Sequence, residues 1–229
     1  MAIVTVDFDG TLFKGNSFQA MFQTAKKDFT WKEWSVVGLG LVKAAGKGLT
    51  KGKEAFKHGF FMAFARSFRG KTKHELDTFF KELVQMARDD VNEELIDRIR
   101  EHQKNGDTVI VLSGALHPFL EAFVDAVGLD VRIISTGLQF DHAGICTGEV
   151  DQIVNGQVKV DRVEQWIQMS AADGEMSPVP EIWAYADSLS DVPLLQFVNH
   201  PVVVNPKKDM LEAAEQYSWP IFPEIGQAN

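Results

Sequence analysis

Short apolar runs alternate with helical patterns along most of the chain. Four runs predict buried strands, namely Ala2 to Val6, Thr108 to Leu112, Ile182 to Tyr185 and Pro201 to Val204. Most of their positions are apolar, as expected of strands covered on both faces of a parallel sheet. Val131 to Ser135 predicts a fifth strand, and segments with helical spacing separate the later strands. This alternation predicts an α/β core with a mostly parallel, Rossmann-like sheet.

A long helical stretch follows the first strand. From about Asn16 to Asp90, apolar residues recur at steps of three and four, which is typical of amphipathic helices. Three glycines in this stretch predict a break between helices, namely Gly46, Gly48 and Gly52. We therefore expect an all-helical domain at 15–89, inserted into an α/β core formed by 1–14 and 90–229.

Composition excludes several classes of protein. The 229 residues are 45% hydrophobic and 24% charged, which is ordinary for a folded globular domain. The single cysteine, Cys146, excludes an internal disulfide framework. No apolar run reaches the roughly 18–20 residues that a membrane-spanning helix needs, and the start lacks the basic region of a signal peptide. We therefore expect a cytoplasmic protein.

The net charge of −9 conceals two regions of opposite sign. Between Lys14 and Lys73 there are 13 Lys and Arg against three acids, a balance of +10, so the remainder carries −19. Lysines on solvated helix faces would account for this. A basic lid that attracts anionic substrates and a basic surface for anionic lipid or nucleic acid are the functional alternatives.

Polar residues stand directly after three of the predicted strands. Asp7 and Asp9 follow the first, Ser113 follows the second, and Asp187 and Asp191 follow a later one. In open α/β sheets, ligands bind beyond the carboxyl ends of the strands. Carboxylates gathered there repel one another unless a cation neutralises them, and an all-oxygen ligand set favours Mg²⁺.

At these residues the chain resembles the haloacid dehalogenase (HAD) superfamily of phosphohydrolases. Asp7-Phe-Asp-Gly-Thr11 resembles the first motif and Ser113-Gly-Ala115 the second. Lys159 resembles the third motif, and Asp187-Ser-Leu-Ser-Asp191 the fourth. The motifs stand in family order, and the helical insert after the first is similar to the cap of the phosphoserine-phosphatase-like branch (subfamily IB). The resemblance therefore implies the HAD fold, with 15–89 as a helical cap.

The resemblance implies a role for each motif residue. Asp7 is expected to attack phosphorus and form an aspartyl-phosphate, with Asp9 as general acid and then general base. Lys159 is expected to balance the charge of the phosphate and of Asp7. The expected substrate-binding residues are Thr11, Ser113 and Gly114.

The resemblance also implies a set of ligands for Mg²⁺. The ligands are expected to be the Asp7 carboxylate, the Asp9 backbone carbonyl and Asp187. Asp191 is expected close by, either as a direct ligand or through water. Such a cluster suits phosphoryl transfer, which depends mainly on positioning and charge neutralisation.

These features together predict Mg²⁺-dependent hydrolysis of a small-molecule phosphate monoester. The presence of Asp9 argues against a dehalogenase, which lacks the second carboxylate. Serine-specific members of the branch use a glutamate soon after the first motif to bind the substrate. The stretch from Lys14 to Gln19 contains no acid, which argues against phosphoserine as the substrate. A phosphotransferase, a lipid-phosphate phosphatase and a non-catalytic anion-binding protein stay open as alternatives.

The expected partner is a small phosphorylated metabolite, with no role for nucleic acid. Contact between the basic cap and a membrane stays open, and the sequence does not set the oligomeric state.

Overall fold

The computed structural model describes residues 1–51, 53–172 and 180–223. Within these ranges it describes all side chains except those of residues 43–44, 46–51, 53–57 and 60. Its centre is a six-stranded sheet in the order β3-β2-β1-β6-β7-β8, and all neighbouring strands pair in parallel. The strands are β1 (Ile3–Val6), β2 (Thr108–Leu116), β3 (Arg132–Thr136), β6 (Ile182–Ala186), β7 (His200–Val204) and β8 (Ile221–Phe222). The prediction of a parallel α/β core is confirmed.

Nine α-helices accompany the sheet in the described ranges. Four lie between β1 and the rest of the core: α1 (Ser17–Asp28), α2 (Trp31–Lys51), α3 (Lys53–Ser67) and α4 (Lys73–Met86). The other five are α5 (Glu93–Lys104), α6 (His117–Val127), α7 (Gln157–Ala172), α8 (Val192–Phe197) and α9 (Lys208–Tyr217). The predicted helical stretch after β1 is therefore present, and its status as a separate domain stays a prediction.

Two apolar clusters cover the two faces of the sheet. Successive strand residues point to opposite faces, so Val4 and Val6 join one cluster while Ile3 joins the other. The first cluster contains side chains of α1 to α6, and the second contains side chains of α7, α8 and α9. Because α1 to α4 share an apolar cluster with β1 and α6, burial of apolar surface holds the helical segment against the core.

A small antiparallel hairpin supports the helical segment. The hairpin consists of β4 (Leu138–Phe140) and β5 (Cys146–Val150). The Cys146 backbone N–H donates to the Lys71 carbonyl over 2.8 Å, and the Gly70 N–H donates to the Cys146 carbonyl over 2.9 Å. These bonds fix the connection between α3 and α4.

The structure adds detail to the predicted elements, or differs from them, in three places. Of the three glycines expected to break the helices, Gly46 and Gly48 lie within α2, which ends at Lys51; α3 begins at Lys53, and Gly52 lies outside the described residues. The second strand was expected to end at Leu112, but β2 continues through Ser113 and Gly114 to Leu116 and stays paired with β3 across an irregularity. The short strand β8 was not predicted, because a strand of two residues is too short to show the alternation of apolar and polar positions that indicates a strand.

None of the helices in the described part of the chain combines the length and the hydropathy that a membrane-spanning helix needs.

Candidate active site

Backbone hydrogen bonds and buried aromatic rings hold the loop after β1 in place. The Asp7 N–H donates to the Tyr185 carbonyl of β6 over 2.9 Å, and the Phe13 N–H donates to the Phe8 carbonyl over 2.9 Å. The Phe8 and Phe13 rings stack at 5.5 Å and are buried against Phe119 of α6. Phe8 within the first motif and Phe13 just after it therefore anchor the polar residues of the motif at the carboxyl end of β1.

A buried lysine bridges two aspartates at this edge of the sheet. Lys159, in the first turn of α7, donates to Asp7 Oδ1 over 2.6 Å and to Asp191 Oδ1 over 2.5 Å. The second oxygen of Asp7 accepts from Thr11 Oγ1 over 3.3 Å, and that of Asp191 accepts from Ser188 Oγ over 2.8 Å. The structure thus joins parts of the first, third and fourth motifs.

Burial sets the electrostatics of the cluster. Burial raises the pKa of Asp7 to about 8, although Lys159 acts against it. Burial, with Asp191 adding to it, raises the pKa of Asp187 to about 6. Burial alone would lower the pKa of the Lys159 ammonium. The negative charges of Asp191 and Asp7 outweigh the effect of burial, so the pKa of Lys159 is raised and the lysine stays charged. Lys159 is therefore a cation in a cluster where Asp7 and Asp187 are costly to ionise.

Three carboxylates converge close enough to share a cation. Asp7, Asp187 and Asp191 each offer an oxygen within 4.8 Å of the others, and all three are buried. When ionised they carry −3 against the +1 of Lys159, which leaves an excess of −2. Gly10 has φ +82° and faces Asp187, so a Cβ there would collide with Asp187 Oδ2. The charge, the oxygen donors and the space kept by Gly10 fit a small hard divalent cation.

Asp9 lies beside this cluster and is held by the helical segment. Its Oδ1 accepts from the Ser17 N–H over 2.5 Å and its Oδ2 from Ser17 Oγ over 2.6 Å. Burial raises the pKa of Asp9, and these two hydrogen bonds oppose the rise. Ser17 is the first residue of α1, so one side chain links the first motif to the helical segment.

Sequence reasoning assigned neither Ser17 nor Asn92 to this site. The buried Asn92 side-chain amide donates to the Thr11 carbonyl over 2.9 Å, and its backbone N–H donates to the Leu12 carbonyl over 3.0 Å. Both residues begin helices, at α1 and just before α5. A polar residue at a helix start is ordinarily read as a cap, so local pattern gave no signal of these longer-range contacts.

Ser113 and Gly114 lie on the neighbouring strand. Val6 of β1 pairs with Val111, so the parallel register places Ser113 two residues further along, level with the first motif. Ser113 is buried, and its Oγ accepts from the Ala115 N–H over 3.1 Å. The Gly114 carbonyl accepts from Thr136 Oγ1 over 2.9 Å. Ser113 therefore stands at the expected edge, and contact of either residue with a substrate stays a prediction.

Two curated relatives match parts of the chain. The inhibition of morphological differentiation protein of Streptomyces azureus is 29% identical over 132 residues, covering 58% of this chain and 46% of that protein. A histidinol-phosphatase of Neisseria meningitidis is 30% identical over 128 residues, covering 54% of this chain and 55% of that protein. The chain thus spans about half the length of the curated relatives it matches.

Solved structures share the whole fold. A protein of unknown function from Bordetella pertussis superposes with a TM-score of 0.73 at 22% identity, covering 96% of both chains. A phosphoserine phosphatase with a phospho-aspartyl intermediate analogue has a TM-score of 0.55 at 14% identity, covering 96% of this chain and 91% of that one. At these identities the likeness concerns the fold. The family model for haloacid dehalogenase-like hydrolases matches residues 4–196, and the chain belongs to this family.

Proposed function

We propose that the protein hydrolyses a small-molecule phosphate monoester with the help of Mg²⁺ and through an aspartyl-phosphate on Asp7. The observation that carries this proposal is the position of Asp7, buried at the carboxyl end of β1 between Lys159 and two further carboxylates. A carboxylate without a catalytic or metal-binding role has no reason to be buried beside two others, since burial and mutual repulsion both cost free energy. Family membership and a histidinol-phosphatase among the relatives support the same chemistry.

Two aspartates divide the chemistry between them. Asp7 attacks phosphorus, so that the bond to the leaving oxygen breaks and an aspartyl-phosphate forms. Asp9 protonates the leaving oxygen and afterwards takes a proton from the water that attacks the same phosphorus. A raised pKa suits Asp9 for both duties, and burial supplies it. The Ser17 hydrogen bonds keep the Asp9 carboxyl in one orientation.

Charge neutralisation falls to Lys159 and to the metal. The Lys159 ammonium already bonds Asp7 Oδ1, so it is placed to meet a phosphoryl group arriving at that carboxylate. We assign Asp7, Asp187, Asp191 and the Asp9 carbonyl as the residues that hold Mg²⁺. When bound, Mg²⁺ neutralises charge on the phosphate and on the carboxylates around it. Thr11, Ser113 and Gly114 complete the substrate contacts in this proposal.

We further propose that residues 15–89 form a cap over this site. The carboxylates of Asp7, Asp187 and Asp191 are buried, and Ser17 of α1 bonds directly to Asp9. A cap in this position excludes water while the ester binds and moves away for product release. The basic balance of this segment favours anionic substrates.

The test of this function is phosphate release from p-nitrophenyl phosphate with Mg²⁺ and with EDTA. We expect turnover with Mg²⁺, loss of at least about 100-fold with EDTA, and recovery when Mg²⁺ is returned in excess. If turnover is the same in EDTA, the metal part of the proposal is wrong. If neither this ester nor a panel of sugar, amino-acid and lipid phosphates turns over, binding of beryllium fluoride distinguishes two explanations. Tight, Mg²⁺-dependent binding supports a selective enzyme, and no binding supports an anion-binding protein.

Gly10→Ala is expected to disable the site, because its Cβ would collide with Asp187. Gly106→Ala is the matched control, since Gly106 has φ +79° but no atom within 4 Å of the added Cβ. The left-handed conformation costs both variants about 1 kcal/mol of unfolding free energy. We expect only Gly10→Ala to lose about 100-fold or more in kcat/KM and to bind Mg²⁺ more weakly by calorimetry. Equal kinetics in the two variants would contradict the assigned role of Gly10.

A further inference from the structure

One face of α2 is apolar and exposed to solvent. Its described positions recur at steps of three and four residues and are all exposed: Trp31, Ser35, Gly38, Leu39, Val42 and Ala45. Trp31 is 74% exposed, Leu39 67% and Val42 73%. The Ser35 hydroxyl donates to the Trp31 carbonyl over 2.7 Å, so its polar group is satisfied within the helix. We call these six positions the α2 stripe.

The orientation of α2 is set by its opposite face. Val37 is 1% exposed and belongs to the main apolar cluster, with Trp34 and Leu41 packed against that cluster. Gly40 lies against Ala63 of α3 so closely that a Cβ would collide. The α2 stripe is therefore a second apolar face that the described residues leave uncovered. At 1.5 Å per residue it extends for about 20 Å, long enough to indicate an interaction surface.

Charge indicates what covers this face. The stretch from Lys14 to Lys73 carries +10, and Lys26, Lys27 and Lys32 are exposed near the start of α2. A second copy docked through the same face would bring together two segments that are both positively charged. An anionic lipid surface offers an apolar layer for the stripe and negative headgroups for the lysines. Trp and Leu beside Lys are the side chains that interfacial helices use.

We propose that the α2 stripe docks on the surface of an anionic phospholipid bilayer. Trp31, Leu39 and Val42 enter the boundary between headgroups and acyl chains, and the exposed lysines Lys26, Lys27 and Lys32 meet the headgroups. The helix lies in the plane of the interface, in keeping with the absence of a membrane-spanning helix from the described residues. Docking of this kind does not require that the substrate be a lipid.

The test is sedimentation of the full chain with vesicles of phosphatidylcholine alone or with 30% phosphatidylglycerol, at low and at high salt. We expect binding to the anionic vesicles that weakens in high salt, and little binding to the neutral ones. Leu39→Glu should lower the partition coefficient by about 10- to 100-fold, because it replaces buried apolar area with a like charge. Met169→Glu, at an exposed apolar position on α7, should leave it unchanged.

Three outcomes would overturn the proposal. The protein could stay in the supernatant with anionic vesicles at low salt. It could also bind through charge alone, in which case Leu39→Glu and Met169→Glu bind equally well. Finally, light scattering could show a dimer that Leu39→Glu dissociates, which would assign the stripe to a second copy. Unfolding temperature and phosphate release, expected to be unchanged in both variants, show that any loss of binding is not a loss of fold.

Discussion

Asp7→Asn is expected to lower phosphate release by at least about 10⁴-fold, the range reached when an enzyme loses its nucleophile. Asparagine has nearly the same volume as aspartate, and its amide oxygen can still accept the hydrogen bond from Lys159, while its amide N–H can donate to the Thr11 hydroxyl. Its amide, however, cannot form the acyl phosphate from which the product is released. The measurement is kcat with a saturating aryl phosphate and Mg²⁺.

The control for Asp7→Asn is Asp161→Asn, which removes an exposed carboxylate from α7. We expect wild-type kcat for this control and a native circular dichroism spectrum for both variants. If Asp7→Asn kept more than about a tenth of the activity, another group would have to attack phosphorus. A loss of tenfold or less raises the activation free energy by only about 1.4 kcal/mol or less.

Lys159→Met is expected to lower the free energy of unfolding by about 3–5 kcal/mol, because it leaves buried carboxylates without their cation. The methionine retains the apolar length of the side chain, but Asp7 and Asp191 lose their shared donor at 2.6 and 2.5 Å. For a chain of this size, the loss corresponds to roughly 6–20 °C in the unfolding midpoint. Thermal unfolding in EDTA measures it, and phosphate release should fall with it.

Adding Mg²⁺ should restore part of the stability of Lys159→Met, since a divalent cation takes over the neutralisation of the carboxylates. Lys208→Met, an exposed lysine at the start of α9, is the matched control and should unfold within about 1 °C of the wild type. If Lys159→Met were as stable as this control, Lys159 would not stabilise the buried carboxylates of Asp7 and Asp191, and the role assigned to its charge would be wrong.

The buried strands were predictable because burial on both faces leaves a continuous apolar run. β1, β6 and β7 appear where such runs occur, and the acids that follow β1 and β6 come together at one edge of the sheet. The resemblance to the HAD motifs added Lys159, whose local setting alone suggests an ordinary surface lysine. Its burial between Asp7 and Asp191 depends on partners 152 and 32 residues away, which no local pattern encodes.

Local signals failed where tertiary contacts outweighed them. Ser113-Gly114 favours a turn, but pairing with β3 continues the strand to Leu116. The bond from Ser17 to Asp9 could not be predicted either, because it depends on how the first turn of α1 docks beside the loop after β1.

Trapping the covalent intermediate tests the central claim most directly. The protein would be mixed with a ³²P-labelled aryl phosphate and Mg²⁺, quenched in acid within the first turnover and digested, and the labelled peptide would be identified. We predict an alkali-labile label on Asp7 that is absent without Mg²⁺ and absent from Asp7→Asn. Turnover without any label on Asp7, together with an active Asp7→Asn variant, would contradict it.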